Sequence, residues 1–243
     1  MSKVKEELQK YVKALYQKEI LDSAGGNCSV REGDKVFVTR RESSSLKQWN
    51  LDEDFIIETD LTGKAARPEM QAFLTRESHV HYRILDEFPH INAVFHVHPK
   101  YLLGFASLKA DMPIVTGLAR DWLFPRYIKC IKDEPEVSVK ESVAVTKYFK
   151  YLYNLNPGSG LACLLPGHGA VIAGKDLRET FSKTEALENN ARTFYYMQII
   201  KNSNFYKEYR EMCLEDMYED WQHIQRTEIK DTEFYFERKD VEF

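Results

Sequence analysis

A chain of 243 residues has room for one large domain or two small ones, and 43% apolar with 30% charged residues is the balance of an ordinary globular protein. A formal net charge of -4, with both signs spread along the chain, excludes a dedicated nucleic-acid surface. No apolar run approaches the roughly 20 residues of a membrane-crossing helix, so no membrane partner is expected.

The first segment, 3–20, places Val4, Leu8, Tyr11, Val12, Leu15 and Tyr16 at helical spacing and predicts an amphipathic helix. It is charged and lacks the apolar core of a secretory signal. A turn at Ser23-Ala24-Gly25-Gly26-Asn27 leads into two short alternating segments, Cys28–Arg31 and Lys35–Thr39, which read as a hairpin. Ser43–Ser45 reads as a loop, Phe55–Glu58 as a strand, and Leu61-Thr62-Gly63-Lys64 as a turn. Residues 70–87 suit one helix through Phe73, Val80 and Ile84, and Asn92–His98 is a β-prone segment ended by Pro99. Helices follow at 100–108 and Ser138–Leu155. Leu161–Leu165 and Ala170–Ala173 bracket Pro-Gly-His-Gly as paired strands, and Asp176 heads a long helix to about Ile200. Strands interleaved with helices predict one α/β domain with helices covering a central sheet. The domain is expected over 1–204. Residues 205–243 form a C-terminal aromatic and acidic extension, packed on the domain or on a neighbouring subunit. Cys28, Cys130, Cys163 and Cys213 form no CxxC pair, so disulfides are not expected and a cytoplasmic address is.

His96-Val97-His98 is the first pattern with chemistry in it. In a strand, side chains at i and i+2 share a face, so both imidazoles would be close enough to hold one metal ion. Satisfied structural histidines are the other reading. His168 sits between Gly167 and Gly169, which permit close approach of other groups; a plain β-turn is the alternative. Three histidines would leave a metal with an open position, as catalysis requires. Glu77, on the helix before the His-Val-His strand, would serve as a general base or a displaceable ligand, or else is a solvated surface charge. His81, one turn on, would orient it or make a helix hydrogen bond. Asp121, Trp122 and Tyr127 line a pocket or fill core. Gly158-Ser159-Gly160 reads as a turn, and His79, His90 and His223 as surface groups.

Taken in order, these fragments resemble the class II aldolase/adducin family, best known for zinc-dependent fuculose- and rhamnulose-phosphate aldolases. Gly26-Asn27-Cys28-Ser29-Val30-Arg31 looks like the family's Gly-Asn-x-Ser-x-Arg turn, and Thr39 like the threonine before its phosphate loop. Glu77 with His81 looks like its glutamate-x-x-x-histidine, and His96, His98 and His168 like its metal ligands. The similarity covers about residues 5–200. It implies a three-layer α/β/α single domain around a largely antiparallel sheet, and a homotetramer with the active site near a subunit boundary. His96, His98 and His168 would hold zinc, or manganese, iron, cobalt or nickel, and Glu77 would be the catalytic acid/base. Asn27 and Thr39 would bind an anionic or polyhydroxyl substrate. The implied activity is that of a lyase, cleaving or forming a carbon–carbon bond in a small sugar, sugar phosphate or hydroxy-keto acid through a metal-stabilised enediolate. Dehydratase, epimerase and decarboxylase chemistry on the same site are the alternatives, as is a non-catalytic adducin-like interaction module.

The sequence departs from the family in two places. Thr39-Arg40-Arg41-Glu42-Ser43-Ser44-Ser45 replaces the family's Thr-Pro-Ser/Thr-Gly loop, and Thr75-Arg76 replaces a serine pair before the glutamate. Arg40, Arg41 and Arg76 are expected to grip a phosphate or carboxylate near Thr75, or to be solvated charges.

Overall fold

The computed structural model describes residues 2–122, 126–157, 160–204 and 206. Six strands form one sheet: β1 (Asn27–Glu32), β2 (Lys35–Thr39), β3 (Ile56–Asp60), β4 (Ala93–Val97), β7 (Leu161–Leu165) and β8 (Gly169–Gly174). Their order is β3-β2-β1-β4-β8-β7, and every neighbouring pair is antiparallel. Two short strands, β5 (Met112–Pro113) and β6 (Tyr127–Ile128), pair separately.

Alternation along the strands fills two cores on opposite faces. Phe95, Val97, Leu164 and Ile172 point one way, against Leu8, Val12 and Leu15 of α1 (Lys3–Gln17) and Leu102 and Ala106 of α4 (Lys100–Ser107). Leu187 and Ala191 of α7 (Leu177–Lys201) complete that layer. Val94, Cys163 and Val171 point the other way, onto Val80, Ile84 and Leu85 of α3 (Ser78–Glu87) and Val145, Phe149 and Leu152 of α6 (Val139–Leu155). Two apolar faces on one sheet demand a helical layer over each, which is the three-layer α/β/α arrangement expected. Asp176 does cap the long helix, its Oδ1 accepting from the Glu179 N–H at 2.7 Å.

Two elements differ from expectation. Ser43–Ser45 is not loop but the start of a one-turn helix, α2 (Ser43–Lys47), bounded by Glu42 and Gln48 in the left-handed region at φ 64° and 45°. The helix expected over 70–87 is broken. A 3-10 turn at Pro68–Phe73 ends at an extended Leu74, and α3 starts only at Ser78 with Glu77 as its N-cap. Glu77 therefore precedes the helix rather than riding on it. A further short helix, α5 (Gly117–Trp122), lies before β6.

The chain divides into two compact units, residues 1–195 and 196–243. Apart from Tyr206, the C-terminal extension expected over 205–243 lies outside the described residues, as do Gly158, Ser159, Cys213 and His223. Cys28, Cys130 and Cys163 are free and buried. Among the described residues no helix is long and apolar enough to cross a membrane.

Candidate metal centre

β4 is a central strand with every residue buried, so a histidine within it must point into protein. His96 lies on the α3/α6 face, opposite Phe95 and Val97, and its direct partner across the β1–β4 ladder is Asn27. Its Nδ1–H donates to the Ala170 carbonyl at 3.2 Å, which leaves Nε2 as a lone pair aimed into the site. His98 follows the strand's end. Its ring fits between Gly25 and Gly169, where an added Cβ would come within 2.8 Å and 2.7 Å of ring carbons. His168 sits in the β7–β8 turn behind Gly167, whose φ of 71° suits glycine.

The three rings converge, with centroids 4.7–5.2 Å apart. One ligand nitrogen from each lies within 4.8 Å of the others. His96 Nε2 and His98 Nε2 face each other at 2.9 Å, an arrangement that needs a proton or a cation between them. Glu77 Oε1 lies 3.3 Å from Nε2 of both His96 and His168, and is buried without a hydrogen-bond partner. Converging lone pairs beside an unpartnered carboxylate oxygen fit a divalent cation, and three nitrogens leave a position open for substrate.

The surrounding charges support that fit. Burial, then the neighbouring His98 and His168, holds His96 well below the ordinary imidazole value, so the ring stays in its neutral, ligating form. Burial and His168 lower His98 as well. At His168 burial also pulls downward, but Glu141, Glu77 and Glu136 outweigh it and the net shift is upward. The site thus attracts positive charge. Glu141 Oε1 stands 3.9 Å from His168 Nδ1, and Asp22 Oδ1 stands 3.9 Å from His98 Nδ1.

Above the centre opens a cavity of about 560 Å³. Of the residues expected to bind substrate, Asn27, Arg41, Thr75 and Arg76 line it, together with Ser43, Ser44 and Ser45. Thr39 and Arg40 do not. The Thr39 hydroxyl is fully buried and accepts from the Cys28 N–H at 3.1 Å. The Arg40 guanidinium lies over the rings of Phe73 and Phe55, at 4.1 Å and 4.7 Å, with Nε buried and unpartnered. His79 bonds the carbonyls of Arg76 and Ser138 at 3.2 Å and 2.8 Å rather than facing solvent alone.

Sequence reasoning passed over Glu136, which lines the cavity, and Glu141 and Asp22, which stand behind the histidines. Glu141 was readable only as a helix start: the Ser138 Oγ accepts from its N–H at 3.1 Å, while its Oε2 accepts from the Val137 N–H at 3.1 Å. Asp22 looks like a turn residue for the same reason, since its Oδ1 accepts from the N–H groups of Ala24 and Gly25.

Residues 6–195 match the family model of the Class II Aldolase and Adducin N-terminal domain. An L-fuculose phosphate aldolase of Methanococcus maripaludis is 28% identical over 200 residues, spanning 80% of this chain and 98% of that protein. A 3-oxo-tetronate 4-phosphate decarboxylase of Haemophilus influenzae is 25% identical, spanning 76% of this chain and 84% of that protein. Among solved structures, an L-fuculose 1-phosphate aldolase superposes with a TM-score of 0.69 at 21% identity, covering 82% of this chain and 87% of that one.

Proposed function

The chain belongs to the class II aldolase and adducin family, and from that premise we propose that it is a metal-dependent lyase of the aldolase type, acting on a carbon–carbon bond of a small, anionic sugar derivative. The observation that carries the reading is Glu77 Oε1, buried, unpartnered and 3.3 Å from two of the three converging imidazoles.

His96, His98 and His168 would hold one divalent ion, zinc by preference for three imidazoles. Bound there, the metal supplies Lewis-acid stabilisation to negative charge developing on a substrate oxygen. The proton belongs to the protein. Glu77 Oε2 accepts from Asn27 Nδ2 at 2.7 Å, which fixes the carboxylate and leaves Oε1 to give or take a proton at the carbon beside the substrate carbonyl. Arg41 and Arg76 set positive charge on the cavity wall beside the hydroxyls of Ser43, Ser44, Ser45 and Thr75. A phosphate or carboxylate anchored there would hold the reacting end over Glu77.

Decarboxylation of an oxo acid phosphate is the second reading, because one relative bears that activity in its name and the same proton donor serves either bond cleavage. A homotetramer in the cytoplasm remains part of the proposal.

Elemental analysis of the purified protein, paired with an assay of ketose 1-phosphate cleavage and of carbon dioxide release from oxo acid phosphates, tests the reading. About one equivalent of divalent metal per chain and metal-dependent turnover would support it. Protein that neither carries nor takes up metal would sink it and restore the non-catalytic interaction module.

A further inference from the structure

Beneath the cavity floor, four buried polar side chains stand in line. Ser29 and His81 are fully buried, and Asn27 and Glu77 are 2% and 8% exposed. Ser29 Oγ lies 2.7 Å from His81 Nδ1, His81 Nε2 lies 2.5 Å from Asn27 Oδ1, and Asn27 Nδ2 lies 2.7 Å from Glu77 Oε2. Only Asn27 and Glu77 reach the cavity; Ser29 and His81 lie behind them.

The chemistry of the groups gives the row a direction. A carboxylate only accepts, so the Asn27 amide must turn its NH2 to Glu77 and its carbonyl oxygen to His81. That oxygen also only accepts, so the proton on the imidazole must sit on Nε2. A neutral ring then carries its lone pair on Nδ1, and the Ser29 hydroxyl donates to it. Burial keeps the ring neutral, its pKa pushed down to about 3. Every donor in the row meets an acceptor, and the row ends on the carboxylate.

We infer that Ser29 and His81 are positioning residues for the proton-transferring carboxylate: through Asn27 they tie down Glu77 Oε2 and leave Oε1 as the working oxygen. The inference rests on the reading of Glu77 as the acid/base. The reason is the symmetry of an amide. Without an N–H at His81 Nε2, nothing in the row prevents the Asn27 side chain from turning over and setting its carbonyl oxygen against the carboxylate. Glu77 is the N-cap of α3: its carbonyl accepts from the Val80 N–H at 2.9 Å, but no capping bond holds its side chain. A turned Asn27 would push it off the 3.3 Å contacts to His96 and His168. Asn27 also lines the cavity, so the same tie orients a side chain that faces the substrate space.

The experiment has a spectroscopic arm and a kinetic arm. Nitrogen-15 spectra of histidine-labelled full-length protein at neutral pH, assigned with His81→Gln, should show His81 as the neutral Nε2–H tautomer; an Nδ1–H ring would overturn the row itself. His81→Leu should lower kcat about 10–100-fold with KM and bound metal unchanged. His81→Gln, which restores an N–H at the Nε2 position, should recover most of that loss. Ser29→Ala removes one oxygen from the far end, so it folds even if the leucine variant does not, and should lower kcat with KM unchanged. In a Glu77→Gln background neither change should lower kcat further, because residues acting through one group are not additive. Equal losses in the leucine and glutamine variants, losses that track bound metal, or a full second loss in the Glu77→Gln background would overturn the positioning role. A wild-type chain that turns over no substrate overturns the assignment of Glu77 and the positioning role with it, yet leaves the tautomer as found.

Discussion

Asn27 and His96 are direct partners across the β1–β4 ladder, so one rung of the sheet carries both a nitrogen of the candidate metal centre and the amide that holds the Glu77 carboxylate, the proposed acid/base. Side chains directly opposite in an antiparallel pair share a face and stand about 4.5–5.5 Å apart at Cβ. The two halves of the chemistry are therefore built on rigid backbone.

Because the halves use different atoms, they should separate by mutation. Glu77→Gln keeps the shape of the side chain and removes its capacity to hold a proton. It should lower kcat by about 10²–10⁴, the usual worth of a positioned acid/base group, while the metal content stays at the wild-type level. His96→Ala should lose metal and activity together. Elemental analysis beside kcat decides; a glutamine variant at full speed would remove Glu77 from the mechanism.

The fit of His98 gives a test that leaves all three histidines in place. An added Cβ at Gly169 would meet the Val97 carbonyl oxygen at 2.4 Å and His98 Cδ2 at 2.7 Å. The Val97 oxygen belongs to the sheet and cannot yield cheaply. Gly169→Ala should therefore cost about 1–3 kcal/mol of stability and displace the His98 ring, weakening metal retention against a chelator. Unchanged metal affinity, read by competition with a chromophoric chelator, would show that the ring tolerates displacement.

What the sequence disclosed follows from where the information is local. His96 and His98 could be paired on paper because strand geometry has a period of two. The β1–β2 hairpin was readable from its short alternating segments, whereas the largely antiparallel sheet was implied by the family resemblance. The break before α3 was not. Phe73, Val80 and Ile84 keep helical spacing across it, although Leu74 is extended and the helix begins only after Glu77. The α2 turn was hidden as well, because the left-handed residues that bound it are glutamate and glutamine rather than glycine. Nor could sequence sort the three arginines, since the rings that take up Arg40 come from Phe55 and Phe73, 15 and 33 positions away.

That sorting makes a prediction. Arg41 and Arg76 line the cavity, whereas Arg40 lies over two aromatic rings. Replacing Arg76 or Arg41 by leucine should raise KM for a phosphorylated substrate about tenfold or more, with a smaller effect on its unphosphorylated analogue. Arg40→Leu should leave KM near wild type and lower stability instead, through lost packing and lost cation–π contact. Steady-state kinetics on a matched substrate pair, together with thermal melts, reads all three. A KM rise confined to Arg40→Leu would reverse the assignment.

The buried imidazole of His81 should also mark the acid stability of the fold. In the unfolded chain the ring titrates near 6.5, while in the folded protein burial first, and then the neighbouring His96, pushes it to about 3. Between those values the unfolded chain binds a proton that the native protein refuses, so stability rises with pH across the window. The contribution is complete above 6.5 and is lost as pH falls toward 3, at about 1.4 kcal/mol per pH unit within the window. His96, pushed the same way, adds a slope of its own. His81→Gln removes only the His81 part, so its stability should fall less steeply than wild type on acidification. Urea unfolding in chelator, at several points between about pH 4.5 and 7, makes the comparison. Parallel curves for the two proteins would mean that His81 is already protonated in the folded state, and the neutral tautomer on which the hydrogen-bond row depends would fall with it.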